Sequence, residues 1–165
     1  MARTMEKEAK KHDPEQKDAF AIVVLKHSGE IHHTVFKWQD KDAPEKERWT
    51  TDLLNTIISQ ITPDRFSGKF LVNVDSEFRH LMNPDKKLPF RAPLEAEIRR
   101  LITRSCQLQL QPGQDKEQFR KDKKEAIETM TRTLMLLHKR SRQSFENFLY
   151  ALGIIDFFTR KGTTL

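Results

Sequence analysis

Lys69-Phe70-Leu71-Val72-Asn73-Val74-Asp75-Ser76-Glu77-Phe78 carries more weight in the fold reading than any other stretch of this 165-residue chain. Four apolar residues surround one asparagine and end at an acid. Read as a strand over Lys69–Val74, the run places Asp75-Ser76 at a strand-to-helix junction and opens a helix at Glu77–Met82. At such a junction Asp75 or Ser76 can accept hydrogen bonds from the free N–H groups of the first helical turn.

Upstream, Ala19 to Leu25 is β-branched and apolar, Ser28-Gly29 supplies a turn, and Glu30 to Trp38 returns as a second strand. On that second strand a period of two puts Ile31, His33 and Val35 on one face and His32, Thr34, Phe36 and Trp38 on the other. Asp40–Lys46 with Pro44 reads as a loop. Trp49, Leu53, Leu54, Ile57, Ile58 and Ile61 then fall at helical spacing until Pro63. Asn83-Pro84 and the stretch from Pro89 to Pro93 break the chain before a second stripe, Leu94, Ile98, Leu101 and Ile102. Cys106–Leu110 alternates as a one-sided strand that Pro112-Gly113 ends.

Two further helical units follow. Ala126 or Ile127, Met130, Leu134 and Leu137 form one stripe; Phe145, Phe148 or Leu149, Leu152 and Ile155 form the other. His138–Gln143 links them, with Ser141 or Ser144 as the N-cap. The pattern predicts a helical hairpin, with apolar content at Leu149, Ile154, Ile155, Phe157 and Phe158 beyond what one helix face hides. Residues 1–18 are too polar to offset the entropy of ordering and are expected to be disordered. The resulting organisation is an α/β or α+β domain over residues 19–124, a small mixed sheet with packed helices, followed by a basic helical hairpin over 125–165.

Composition narrows the function classes. With 36% hydrophobic residues the chain can bury one core. It lacks an apolar run of the roughly 18 residues a membrane span needs, and no secretory signal is expected. One cysteine, Cys106, excludes an internal disulfide and favours an intracellular setting, cytoplasm or nucleus. Lys and Arg balance Asp and Glu at 15 each over residues 1–90 but exceed them by 15 to 9 over residues 91–165, so the whole +6 lies in the second part. Such a half attracts RNA, DNA, an acidic surface or an acidic protein.

The order strand, strand, helix, strand, helix, helix, strand, helix resembles a ribonuclease H-like domain over about residues 19–130. Phe70-Leu71-Val72-Asn73-Val74-Asp75-Ser76-Glu77-Phe78 looks like that family's central strand with its Asp-Ser pair. Leu108-Gln109-Leu110-Gln111-Pro112-Gly113 is similar to its last core strand. The resemblance implies four acids on two divalent metals for phosphodiester cleavage. Here Asp75 matches one position. The first strand has no internal carboxylate, Thr50 and Thr51 stand where a glutamate is expected with Asp52 adjacent, and Asp122 sits among Lys121, Lys123 and Lys124. The acid set is incomplete, which implies a pseudoenzyme; a nuclease would use Asp75, Asp52 and Asp122. A second resemblance, over Leu134–Leu152, is to two helices of a caspase-recruitment domain, although a strand stands where that domain's first helices belong.

No nucleophile motif or phosphate-cradling glycine loop is present, and no cofactor is implied. His27, His32 and His33 invite a metal, but His32 and His33 point to opposite faces, so no metal site is assigned. The leading expectation is a non-enzymatic interaction module that binds a protein partner or self-associates through Phe145, Phe148, Leu149, Leu152, Ile155, Phe157 and Phe158. The alternative is nucleic-acid binding through Arg99, Arg100, Arg104, Arg120, Lys121, Lys123, Lys124, Lys139, Arg140 and Arg142. A single-strand reader needs exposed rings, and Trp38 and Phe36 are the rings expected to be accessible.

Overall fold

The computed structural model describes residues 1–12, 17–26, 29–81, 93–141 and 144–160. His27, Ser28, Met82, Asn83-Pro84, Pro89, Arg142, Gln143 and the Lys161-Gly162 end lie outside the described residues. The chain has an α+β fold. Its elements are α1 (Ala2–His12), β1 (Ala19–Leu25), β2 (Ile31–Lys37), α2 (Glu45–Arg48), α3 (Thr50–Gln60), α4 (Lys69–Leu81), α5 (Pro93–Ser105), α6 (Lys116–Arg140) and α7 (Phe145–Thr159).

The hairpin forms where the alternation places it, with Ala19 opposite Lys37 and Leu25 opposite Ile31. Gly29 closes the turn at φ +82°, a left-handed conformation that costs glycine little. Helix α3 matches the Leu53, Leu54 and Ile57 stripe, and α5 the Leu94, Ile98, Leu101 and Ile102 stripe; all seven side chains are buried.

The pivotal stretch is a helix. In α4 the residues Phe70, Leu71, Val74 and Phe78 are buried together while Val72 is 52% exposed, an arrangement only a period of 3.6 produces. A strand would have grouped Phe70, Val72 and Val74 on one face and put Leu71 on the other. The Asp75–Arg79 pair, at i and i+4 with Arg79 Nε 2.9 and 2.8 Å from the two carboxylate oxygens, adds to the helical choice. Asp75 and Ser76 therefore lie mid-helix and cap nothing. The strand expected at Cys106–Leu110 is also absent: Cys106 makes one bridge to Phe66, and the chain then runs without regular structure to the turn at Gly113. Among the described residues the sheet is the two-stranded antiparallel β1-β2, not a mixed sheet, so the two segments behind the ribonuclease H-like comparison are helix and connection.

Residues 2–12, expected to be disordered, form α1 against both strands, which is why the Ile31/His33/Val35 face of β2 includes the buried Val35. Met5, Glu8, Ala9 and His12 are its partly covered positions, spaced as one helical face.

The last two helices do not form an appended hairpin. Helix α6 begins at Lys116, capped by Asp115, whose carboxylate accepts from the Gln118 N–H at 2.6 Å, so the boundary expected at 124/125 falls inside it. It packs on α3 and α5, while α7 packs chiefly on β2 and α4. Ser144 caps α7, accepting from the Asn147 N–H. Helix α7 is buried on several sides because it is the centre of the molecule: Phe145, Phe148, Leu149, Ala151, Leu152, Ile154 and Ile155 all enter the core.

Candidate interaction surface

The three acids of the nuclease expectation are not brought together. Asp52 is in the first turn of α3, Asp75 pairs with Arg79 on α4, and Asp122 accepts a 2.7 Å bond from Gln118 on α6. Among the described residues no three His, Cys, Asp or Glu side chains are grouped to hold a metal ion. The histidines of β2 are engaged elsewhere. His32 Nε2 is 2.5 Å from Glu30 and 3.1 Å from Lys26, and His33 Nε2 is 3.7 Å from Glu8 while its ring stacks on Tyr150. Lys26 and His32 hold the Glu30 carboxyl down to about 2 through their hydrogen bonds.

The basic residues divide into two groups. Arg140 is removed from solvent, 3% exposed, with Nη2 donating to the Glu47 carbonyl at 2.7 Å. Burial pulls its guanidinium below the ordinary value, against the opposing charges of Asp40, Asp18 and Glu47. Lys139 pairs with Asp40 at 3.2 Å, and Arg132 with Glu47 at 2.6 Å. Burial raises the Asp40 carboxyl, but the Lys139 hydrogen bond and the charges of Arg140 and Lys139 outweigh it and hold the carboxyl below its usual range. These cations fasten α2 and its entry loop to the end of α6; Arg140 is a structural tie, not a phosphate contact.

The other group faces water. Arg100 pairs with Glu97 and, at 2.9 Å, with Glu77. Arg99 and Lys124 approach the same Glu128 carboxylate at 3.8 and 4.0 Å, joining α5 to α6, and Lys121 pairs with Glu117 at 3.0 Å. Lys123 lies over the Phe119 ring at 5.9 Å. Arg104 and Arg120 are exposed, Arg104 at the end of α5 and Arg120 in the first turns of α6. The first ten residues of α6 have no buried side chain, so this half stands clear of the core.

Of the expected partner-binding residues, Phe145, Phe148, Leu149, Leu152 and Ile155 are each at most 5% exposed and belong to the core. They pack against this chain's own β2, α3 and α4 and cannot reach a partner. Phe157 is partly covered and Phe158 is 42% exposed, with their rings edge to face at 5.9 Å. The end of α7 adjoins the start of α4, where a Cβ on Gly68 would lie 3.9 Å from Thr159 Oγ1. Val72, exposed on the first turn of α4, therefore lies at the same end of the α4–α7 pair as Phe158. Phe36, expected to be accessible, is fully buried, whereas Trp38 and Trp49 are both exposed. The residue after Trp38, Gln39, bridges to Trp49, the Thr50 N–H donates to the Trp38 carbonyl at 2.9 Å, and Trp38 stacks on Phe20 at 4.2 Å.

No family model, curated protein or solved structure matches the chain. No helix among the described residues is long and apolar enough to cross a membrane.

Two residues that position α7 were not singled out from sequence. Asn147 presents its amide to the outer edge of β2: Oδ1 accepts from the Val35 N–H at 2.9 Å and the Thr34 hydroxyl at 2.8 Å, and Nδ2 donates to the Val35 carbonyl at 2.6 Å. That amide stands where a third strand would pair and satisfies the edge. Gly153 lets His32 lie directly on α7; a Cβ there would be 2.6 Å from His32 Cε1 and closer still to Nδ1. An asparagine after an N-cap and a glycine inside an apolar helix are the only signals the sequence offers, and the latter does suggest a close approach.

Proposed function

We propose that the chain is a non-enzymatic interaction module that self-associates, or holds a protein partner, through the C-terminal end of α7. The observation that carries this reading is Phe158, a large apolar side chain 42% exposed beside Phe157 and at the same end of the helix pair as exposed Val72. Neighbouring apolar side chains that reach the surface, such as Phe157 and Phe158, mark contact sites when they are set on rigid elements, and α7 is fixed along its length by the core. The proposal narrows the expected surface to Phe157 and Phe158, since the other five residues complete the fold. Phe158→Asp changes a surface position, so it should leave the fold intact and abolish the association measured by light scattering.

A second reading, nucleic-acid binding, has its own support in the exposed half of α6. Arg120, Lys121, Lys123 and Lys124 lie there, with Arg99 adjoining through Glu128. Binding of this kind would weaken with salt by a log–log slope of about 0.9 per phosphate contacted on duplex DNA. Interleaved Glu117, Asp122, Glu125 and Glu128 reduce the local positive field, which places this reading second.

A further inference from the structure

The two edges of the β1-β2 sheet differ. The Trp38 N–H donates to the Asp18 carbonyl at 3.1 Å and the Lys26 N–H to the Glu30 carbonyl at 3.0 Å, which fixes the phase of the ladder. In that phase Phe20, Ile22 and Val24 bond to Phe36, Thr34 and His32, and the main-chain groups of Ala19, Ala21, Val23 and Leu25 point away from β2. On β2 the outward groups of Val35 are taken by Asn147. On β1 no hydrogen bond among the described residues reaches the outward N–H or C=O of those four residues.

This open edge is apolar and accessible. Ala19 to Val23 are half-buried, and Leu25 is 60% exposed. Its seven residues hold no charge, proline or bulge, the devices that commonly keep a strand edge from pairing. Phe20 and Ile22 lie half-covered at the margin of the core, with exposed Trp38 stacked on Phe20, so an added strand would lay every second side chain beside apolar surface. On the other face Glu8 reaches His33 of β2, so α1 turns its opposite flank, Ala2, Ala9 and the mutually paired Glu6 and Lys10, toward the edge. Small and neutralised groups there accept short uncharged side chains. At the ends of the strand, Lys26 is held by Glu30 at 2.8 Å, whereas Asp18 acts on Arg140 through its field and makes no ion pair among the described residues.

A second copy of the chain does not fit this edge. Helix α1 packs more on β1 than on β2. Antiparallel pairing of two β1 strands would bring both α1 helices onto one face only a strand spacing apart, about 4.8 Å. Packed helices need about 8–10 Å. A bare extended segment brings no such helix.

We propose that the outer edge of β1 binds an extended segment of a partner protein, running antiparallel, with apolar residues at alternate positions, uncharged residues between them and a base opposite Asp18. Main-chain hydrogen bonds to Ala19, Ala21, Val23 and Leu25 hold the segment, and the apolar side chains beside Phe20 and Ile22 select it. The edge lies across the sheet from α7, which packs on β2, so the site stands or falls without the α7-end contact.

The test is fluorescence anisotropy of the labelled peptide Thr-Thr-Val-Thr-Ile-Thr-Val-Thr-Lys titrated with the full chain. Its first to last residues lie opposite Lys26 to Asp18, so the amides of its fourth and sixth residues face β1 and those of its fifth and seventh face away. The proposal expects saturable one-to-one binding. N-methylation of the fourth and sixth residues should weaken it about tenfold or more, the ratio that two lost hydrogen bonds give. N-methylation of the fifth and seventh should leave it unchanged. In the native chain, amide exchange at Ala21 and Val23 should slow on saturation while Phe20 and Ile22, already bonded to β2, exchange as before. Ala21→Pro removes an outward donor and keeps the ladder to β2, so it should abolish binding; Phe158→Asp should bind the peptide as the native chain does. No saturable binding, equal affinity of the two N-methylated peptides, unslowed exchange at Ala21 and Val23, or an association between copies that Ala21→Pro and not Phe158→Asp abolishes would overturn the proposal.

Discussion

Gly153→Ala should destabilise the protein although alanine is the better helix former. In an unconstrained helix the change would stabilise by about 0.5–1 kcal/mol. Here the new methyl would fall 2.6 Å from His32 Cε1 and nearer still to Nδ1, so the ring must move. The ring is not free to do so: it is 8% exposed, held at 2.5 Å by Glu30 and at 3.1 Å by Lys26, and set edge-on to Tyr150. Displacing it forfeits one or two hydrogen bonds, about 0.5–1.5 kcal/mol each, and adds an overpacking cost of about 1–3 kcal/mol. Against the helix gain, a net loss of about 2–3 kcal/mol remains. Urea unfolding followed by circular dichroism measures it, as a lower midpoint at unchanged slope. In a His32→Ala background the obstruction is gone, so Gly153→Ala should there stabilise by the helix-propensity increment. If Gly153→Ala stabilises the native background, or acts equally in both, the close packing of β2 on α7 is wrongly described.

Two other outcomes follow from the same seam and its neighbour. Asn147→Ala leaves the Val35 N–H and C=O without partners, while the Thr34 hydroxyl keeps its bond to the residue-147 carbonyl, and should cost about 2 kcal/mol or more in the same unfolding assay; a cost under about 1 kcal/mol would mean water replaces the amide. The depressed Asp40 carboxyl gives stability that is present above its unfolded value, near 3.9, and is lost as pH falls through the folded one. Urea midpoints for Asp40→Asn should therefore lie below those of the native chain at pH 6 and converge with them in acid, whereas a gap that widens in acid would reverse the sign of the assignment.

The hairpin, α3, α5 and α7 were legible because each has a run long enough for its period to show, and Ser144, one of the two expected caps, does cap α7 through a hydrogen bond made within four residues. The stretch at Lys69–Leu81 was misread because four apolar residues in six satisfy both periods, and only buried Leu71 beside exposed Val72 distinguishes them. Cys106–Leu110 alternates without forming a strand because only Phe66 pairs with it, and an isolated run has no ladder to join. The apolar surplus of α7 was read as a partner surface because a sequence does not reveal how many neighbours a helix has. Its neighbours are β2, α3 and α4, which cover all of the surplus except Phe157 and Phe158 near its end. Arg140 looked like one of a basic run, and only its place under the α2 loop, beside Glu47 and Asp40, makes it internal.

The central claim is that the end of α7 is a contact surface, and light scattering during size-exclusion chromatography tests it most directly. The full chain and Phe158→Asp are run over a range of protein concentrations, with and without short RNA and DNA at two salt concentrations. The account predicts a mass above the monomer that rises with concentration in the native chain and returns to the monomer in Phe158→Asp, independent of nucleic acid. A monomer at every concentration that shifts only with RNA or DNA at low salt, equally in both proteins, would contradict it and make the exposed half of α6 the working surface.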